Sequence, residues 1–208
     1  MDLIKRPDNT LAIRRALETQ ADFVPHLGLE EVQQLAQAAA ATARTGKGER
    51  DALLIQTMCD GAFRVSEAIS LCPNRLVSTQ EGWLARIVGK GRQVRDVAIS
   101  PSLAARLQSY AYRMGIAPDE RLFPVSTTRV WQIVDRAFKT TGIRKPDHVG
   151  TVHVIRHSGA IARLDETGDP KALQDHLGHK QAKMTLRYLK TRSAKESLKI
   201  QQRVDFRW

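Results

Sequence analysis

Between Leu76 and Ile99 the sequence changes period, and that change limits the fold more than any other feature. Three short runs, Leu76–Thr79, Trp83–Val88 and Val94–Ile99, are rich in β-branched and apolar residues and are separated by turn residues. The second and third are joined by Gly89-Lys90-Gly91-Arg92-Gln93, a glycine-bearing loop of hairpin length. Together they predict a small antiparallel sheet. On either side the period is helical. Upstream, Leu29, Val32, Leu35, Ala36 and Ala39 mark one buried helix face, ended by the turn Thr45-Gly46-Lys47-Gly48. A second helix carries Leu53, Leu54, Ile55 and Met58 and stops near Gly61, and a third opens around Phe63 and is broken by Pro73. Downstream, helices are predicted over residues 103–114, 129–139, 153–166 and 171–176, and from Ser193 to about Val204. The predicted fold class is therefore α+β, mainly helical, with a three-stranded antiparallel sheet on one side. Residues 1–25 read as a short polar extension with one small helix through Leu11–Leu17. Residues 26–192 form the body of the chain, and residues 193–208 a basic C-terminal helix or tail.

Charge narrows the function. A formal net charge of +11 and a pI near 10.1 call for a polyanionic partner, nucleic acid ahead of membrane. The excess gathers late in the chain, where Lys183, Arg187, Lys190, Arg192, Lys195, Lys199, Arg203 and Arg207 are set against Glu196 and Asp205. The apolar residues there, Leu198, Ile200 and Val204, are too sparse for an amphipathic membrane anchor. No apolar run approaches the length of a membrane span, and the first residues lack the pattern of a signal peptide. Cys59 lies in an apolar helical pattern, so it reads as a small buried hydrophobe in a reducing compartment, not as half of a disulfide with Cys72. A cytoplasmic protein is expected.

Taken singly, the polar residues have ordinary explanations. Arg64, in Gly61-Ala62-Phe63-Arg64-Val65-Ser66-Glu67, has Glu67 three positions on as an ion-pair partner. Lys90, Arg92 and Arg95 lie in or beside the hairpin loop, where solvated charge is common. His153 and His157 are spaced i, i+4 for a metal, but Val154 stands where a zinc protease needs glutamate, and no acidic or cysteine cluster accompanies them. His179 follows a glycine turn, and Tyr188 alone is an unremarked aromatic. In combination they make a kit for metal-free phosphoryl transfer. Two arginines fork onto the nonbridging oxygens of a phosphate and balance the charge of a five-coordinate transition state. A lysine or histidine protonates the leaving oxygen, and a tyrosine hydroxyl attacks and stores the bond as a phosphodiester.

The order and spacing of these residues resemble the tyrosine recombinase, or phage integrase, family. Arg64 matches an arginine in a Gly-x-x-Arg-x-Ser-Glu helix start. Lys90 and Arg95 match a Gly-Lys-Gly hairpin with a later arginine, and His153, Arg156 and His157 match His-x-x-Arg-His. Leu177-Gly178-His179 is followed nine residues on by Tyr188, with Thr185 completing Thr-x-x-Tyr. The pattern covers about Leu27 to Tyr188, and its short lead resembles the catalytic-domain-only members. The resemblance implies the mixed, mainly helical catalytic domain of that family and a site-specific recombinase that works through a 3′-phosphotyrosyl intermediate without ATP, metal or other cofactor. It implies Tyr188 as nucleophile, Arg64 and Arg156 as phosphate ligands, and Lys90 as general acid. His153 would assist proton transfer from Tyr188, His179 would bond the phosphate, and Arg92 and Arg95 would contact DNA. The implied partners are double-stranded DNA, further copies forming a tetramer on paired sites, and accessory DNA-bending proteins. A type IB topoisomerase and a non-cleaving DNA-binding regulator of the same fold are the alternatives.

Overall fold

A computed structural model describes residues 23–44, 46–88, 94–179 and 181–201. The expected small helix at Leu11–Leu17, and Lys90 and Arg92 of the hairpin loop, lie outside those residues. Eight α-helices surround one sheet among the described residues: α1 Leu29–Thr42, α2 Gly48–Asp60, α3 Val65–Ile69, α4 Pro101–Met114, α5 Thr127–Thr141, α6 His153–Thr167, α7 Pro170–Leu177 and α8 Ala182–Gln201. Strands β1 Leu76–Thr79, β2 Gly82–Val88 and β3 Val94–Ile99 follow α3 after a single 3₁₀ turn at Pro73–Arg75. They form an antiparallel sheet in the order β1-β2-β3.

The sheet keeps the alternation that the sequence predicts. Leu76, Ala85, Ile87, Val97 and Ile99 point inward and are buried, while Arg86 and Asp96 pair across the outer face. Local chemistry fixes the helix ends. Ser100 and Ser126 each accept a backbone N–H of the first turn, and Asp169 accepts two, from Lys171 and Ala172. Each of these residues satisfies donors that a helix start leaves unpaired.

Two apolar clusters fill the interior. The larger lies among α1, α2, α5 and the sheet and includes Leu35, Leu53, Leu54, Phe63, Leu107 and Phe123. The smaller lies beneath α6, α7 and α8 and consists of Val24, Ala62, Ala160, Ile161, Leu164, Leu173, Leu177 and Tyr188. Helices α2 and α6 meet where Gly159 faces the backbone of Cys59. A Cβ at Gly159 would lie 1.8 Å from the Cys59 carbonyl oxygen, so only glycine permits this approach. Cys59 is buried and free, and burial pushes its thiol up to about 12, as suits an inert hydrophobe.

One helix differs from expectation. The segment predicted to begin at Ser193 belongs to α8, which starts at Ala182 and runs through Tyr188 without a break. No glycine or proline interrupts that stretch, so nothing in it stops the helix. Thr191 ties α8 to the start of the fold: its buried hydroxyl accepts the Val24 N–H at 2.8 Å and donates to the Arg187 carbonyl.

Candidate active site

The site forms where the two clusters meet, and its centre is a carboxylate. Glu67, in the first turn of α3, is almost fully buried. One of its oxygens accepts the Arg64 N–H at 2.8 Å, closing the helix start, and the other accepts Arg64 Nη1 at 2.9 Å. Arg95 reaches over from β3 and donates Nη2 to both oxygens, at 3.1 and 3.2 Å. Arg156, one turn into α6, places Nη1 3.6 Å from the same carboxylate. Three guanidiniums thus share one negative charge. A surplus of positive charge remains, and Arg64, whose side chain is 44% exposed, carries it to the surface.

Backbone carbonyls hold Arg156 in place. It donates Nη1 to Ala62 and Nη2 to Leu177, the latter at 3.2 Å, which links the end of α2 to the end of α7. Burial, with Arg64 nearby, lowers its pKa to about 10, which still leaves it charged at neutral pH. Arg95 is also lowered, by burial first. Gly178 ends α7 with a left-handed backbone, φ +65°, and a Cβ there would sit 2.7 Å from Arg95 Nε. The glycine turn and β3 are therefore fitted to each other.

Tyr188 projects from the second turn of α8 into the smaller cluster and is only 4% exposed. Its hydroxyl lies 2.9 Å from His157 Nδ1, and the two rings stack with centroids 5.6 Å apart. His179 is a second ring neighbour, 6.2 Å between centroids, with Nδ1 3.0 Å from the Thr185 hydroxyl. Burial raises the Tyr188 pKa, opposed by the charges of Arg156, Arg187 and Arg64, so the phenol keeps its proton at neutral pH. Burial also drives both histidines down to about 4, helped by His153, Arg156, Arg187 and His179 around His157 and by Arg156, Arg64 and Arg95 around His179. Both rings are neutral at neutral pH. His176, half-buried, also sits near 4, lowered by burial first, and donates Nε2–H to the Gly61 carbonyl.

Of the residues singled out in the sequence, the structure brings Arg64, Arg95, Arg156, His179 and Tyr188 together. His153 stands exposed at the start of α6. It is not the group bonded to the phenol: that is His157, one turn further on. Arg95 belongs to the carboxylate cluster and is not merely a surface contact for DNA. Glu67 is the other residue that the sequence undervalued, since its spacing from Arg64 shows one ion pair and cannot show that two more arginines converge on it. Among the described residues no group of histidine, cysteine and acidic side chains is arranged to hold a metal ion. No described helix is long and apolar enough to cross a membrane.

Residues 26–195 match the phage integrase family. The chain belongs to that family. The tyrosine recombinase of Pseudothermotoga lettingae is 30% identical over 147 residues, which cover 69% of this chain and 50% of that protein. XerD of Rhizobium meliloti is 29% identical over 195 residues, 88% of this chain and 62% of that one. The chain spans about half the length of the first curated relatives it matches, between 44% and 50% for the first five. The fold is that of tyrosine recombinase catalytic domains. The XerA recombinase superposes with a TM-score of 0.66 at 23% identity, covering 99% of this chain and 68% of that one. The catalytic domain of bacteriophage HP1 integrase gives 0.61 at 22% identity, over 81% of this chain and 88% of that domain.

Proposed function

We propose that this phage integrase family domain cuts and rejoins DNA at a specific site through a covalent 3′-phosphotyrosyl intermediate. The observation that carries this reading is the convergence of Arg64, Arg95 and Arg156 on the single carboxylate of Glu67, with the Tyr188 phenol near enough to feel the charges of Arg156 and Arg64. A site with more buried cations than anions is built to receive an anion. A phosphodiester supplies one negative charge and two nonbridging oxygens for the guanidinium forks.

In this reading Arg64 and Arg156 hold the phosphate while Glu67 and Arg95 keep them aimed. Tyr188 attacks the phosphorus and the bond to the 5′ oxygen breaks, leaving a 3′-phosphotyrosine and a free 5′ hydroxyl. Lys90, five residues before Arg95 in the sequence, protonates that oxygen, and His179 bonds the phosphate. The 5′ hydroxyl of a partner strand then attacks the phosphotyrosine and restores a phosphodiester. The bond energy is kept throughout, so neither ATP nor metal enters the scheme. Exchange between duplexes requires further copies of the protein, a tetramer on two paired sites, with DNA-bending proteins as accessory partners. The relatives named XerC, XerD and XerA are described as tyrosine recombinases, and XerH has been crystallised on its difH substrate, which favours duplex DNA as the ligand here.

The test is to map covalent protein–DNA junctions across the host replicon, with wild type and Tyr188→Phe side by side. The reading expects junctions at a defined sequence in wild type alone. Junctions scattered at random, or present in both proteins, would overturn it.

A further inference from the structure

The residue that touches the attacking oxygen is not the one that the family pattern suggested. Tyr188 is enclosed, and the hydrogen-bond partner of its hydroxyl is His157 Nδ1 at 2.9 Å, the two rings stacked with 27° between their planes. His153 is a full turn away on the same helix and exposed. We infer that His157 is the catalytic base that takes the phenolic proton from Tyr188. This inference rests on the recombinase reading above and assigns one step within it.

The step balances. In the Nε2–H tautomer of neutral His157, Nδ1 offers its lone pair to the hydroxyl. As the Tyr188 oxygen bonds to phosphorus, its proton passes to Nδ1, the bond from phosphorus to the 5′ oxygen breaks, and the leaving oxygen takes a proton from Lys90. The reverse step returns the proton from Nδ1 to the phenol.

The surroundings of His157 explain how a weakly basic ring can serve. His153 and Arg156 on its own helix, Arg187 on α8 and His179 before α8 all face it. Burial first, helped by the positive charges of Arg156 and Arg187, keeps the ring unprotonated and ready in the absence of DNA. A phosphodiester seated on Arg64 and Arg156 cancels part of that positive field and raises the basicity of His157 when it is needed. Substrate binding thus strengthens the base, while the free protein keeps a protonated, unreactive tyrosine.

The experiment measures cleavage rates on a nicked suicide duplex bearing the mapped junction sequence, from pH 6.5 to 9.5. It compares wild type, His157→Ala, His157→Gln, His153→Gln and Tyr188→Phe. Removing a general base costs roughly a hundredfold to ten-thousandfold. The His157 variants should lose that much at pH 7 and recover about tenfold per pH unit as solvent hydroxide replaces the base, while wild type stays nearly flat. Added imidazole should restore cleavage by His157→Ala in proportion to its free-base concentration. His157→Gln keeps a hydrogen-bond partner for the phenol and guards against a packing loss in the alanine variant. His153→Gln should slow cleavage without acquiring a pH slope. His157 variants that bind DNA and unfold like wild type, yet gain nothing from pH or imidazole, would overturn the inference. So would a pH slope in His153→Gln alone. An adduct formed by Tyr188→Phe would instead defeat the recombinase reading beneath it.

Discussion

Glu67→Gln tests whether one carboxylate organises the site. The substitution keeps shape and one acceptor oxygen but removes the charge that three guanidiniums share. The contact with Arg64 is half-exposed and screened, so it contributes under about 1 kcal/mol. Arg95 and Arg156 are 22% and 7% exposed in their side chains, and their contacts with Glu67 are shielded. A hydrogen bond to a charged group is worth about 1.5–3 kcal/mol, and breaking a buried ion pair costs about 3–5 kcal/mol. The glutamine recovers part of this through its remaining oxygen, which leaves a net loss of about 3 kcal/mol. For a domain of this size that lowers Tm by about 6–12 °C. The same change leaves the guanidiniums without a counter-charge, so anion binding should tighten as stability falls. Urea unfolding with and without sulfate reads both effects, and sulfate should stabilise Glu67→Gln more than wild type. A loss below about 0.5 kcal/mol, or equal sulfate responses, would refute a shared central carboxylate.

Other perturbations probe the parts around it. Gly159→Ala improves helix propensity by about 1 kcal/mol, but the new Cβ meets the Cys59 carbonyl oxygen at 1.8 Å and forces α2 and α6 apart. Urea unfolding should show a net loss of about 2–3 kcal/mol, and an unchanged or stabilised variant would contradict the close approach. Thr191→Val strands the buried Val24 N–H and should cost about 1–3 kcal/mol, with faster hydrogen exchange at the Val24 amide as the specific sign. Acid should weaken the fold, because His157, His176 and His179 are held near 4 in the folded state against 6.5 in the unfolded chain. The unfolded state then binds more protons below about pH 6.5, and each histidine adds up to about 1.4 kcal/mol per pH unit of lost stability. Denaturation between pH 7 and 5 should show stability falling by at least about 1 kcal/mol per unit at the acid end, and a flat profile would place these rings in solvent.

Much of the fold was legible because its signals are local. The strands at Leu76–Thr79 and Val94–Ile99 follow from period-two alternation between turns, and Pro101, Gly115, Gly142 and Gly168 punctuate the helices that follow. The helix of Tyr188 was misread because the sparse apolar residues after Ser193 obscured its continuity with Ala182. At the site, motif spacing singled out Arg64, Arg156, His179 and Tyr188, which the structure brings together, but could not rank His153 against His157. Both lie on α6 one turn apart, and only the path of α8 across that helix decides which ring meets the phenol. The threefold engagement of Glu67 was hidden for a similar reason, since Arg95 and Arg156 come to it from elements far away in sequence.

The central claim is that Tyr188 carries the DNA. Its most direct measurement is to digest the covalent adduct from a suicide substrate with protease and nuclease and locate the nucleotide remnant by mass spectrometry. The account predicts the remnant on the peptide containing Tyr188, joined through a 3′ phosphate with a free 5′ hydroxyl on the other strand end. A remnant on any other residue, or a 5′-phosphotyrosyl link, would contradict it.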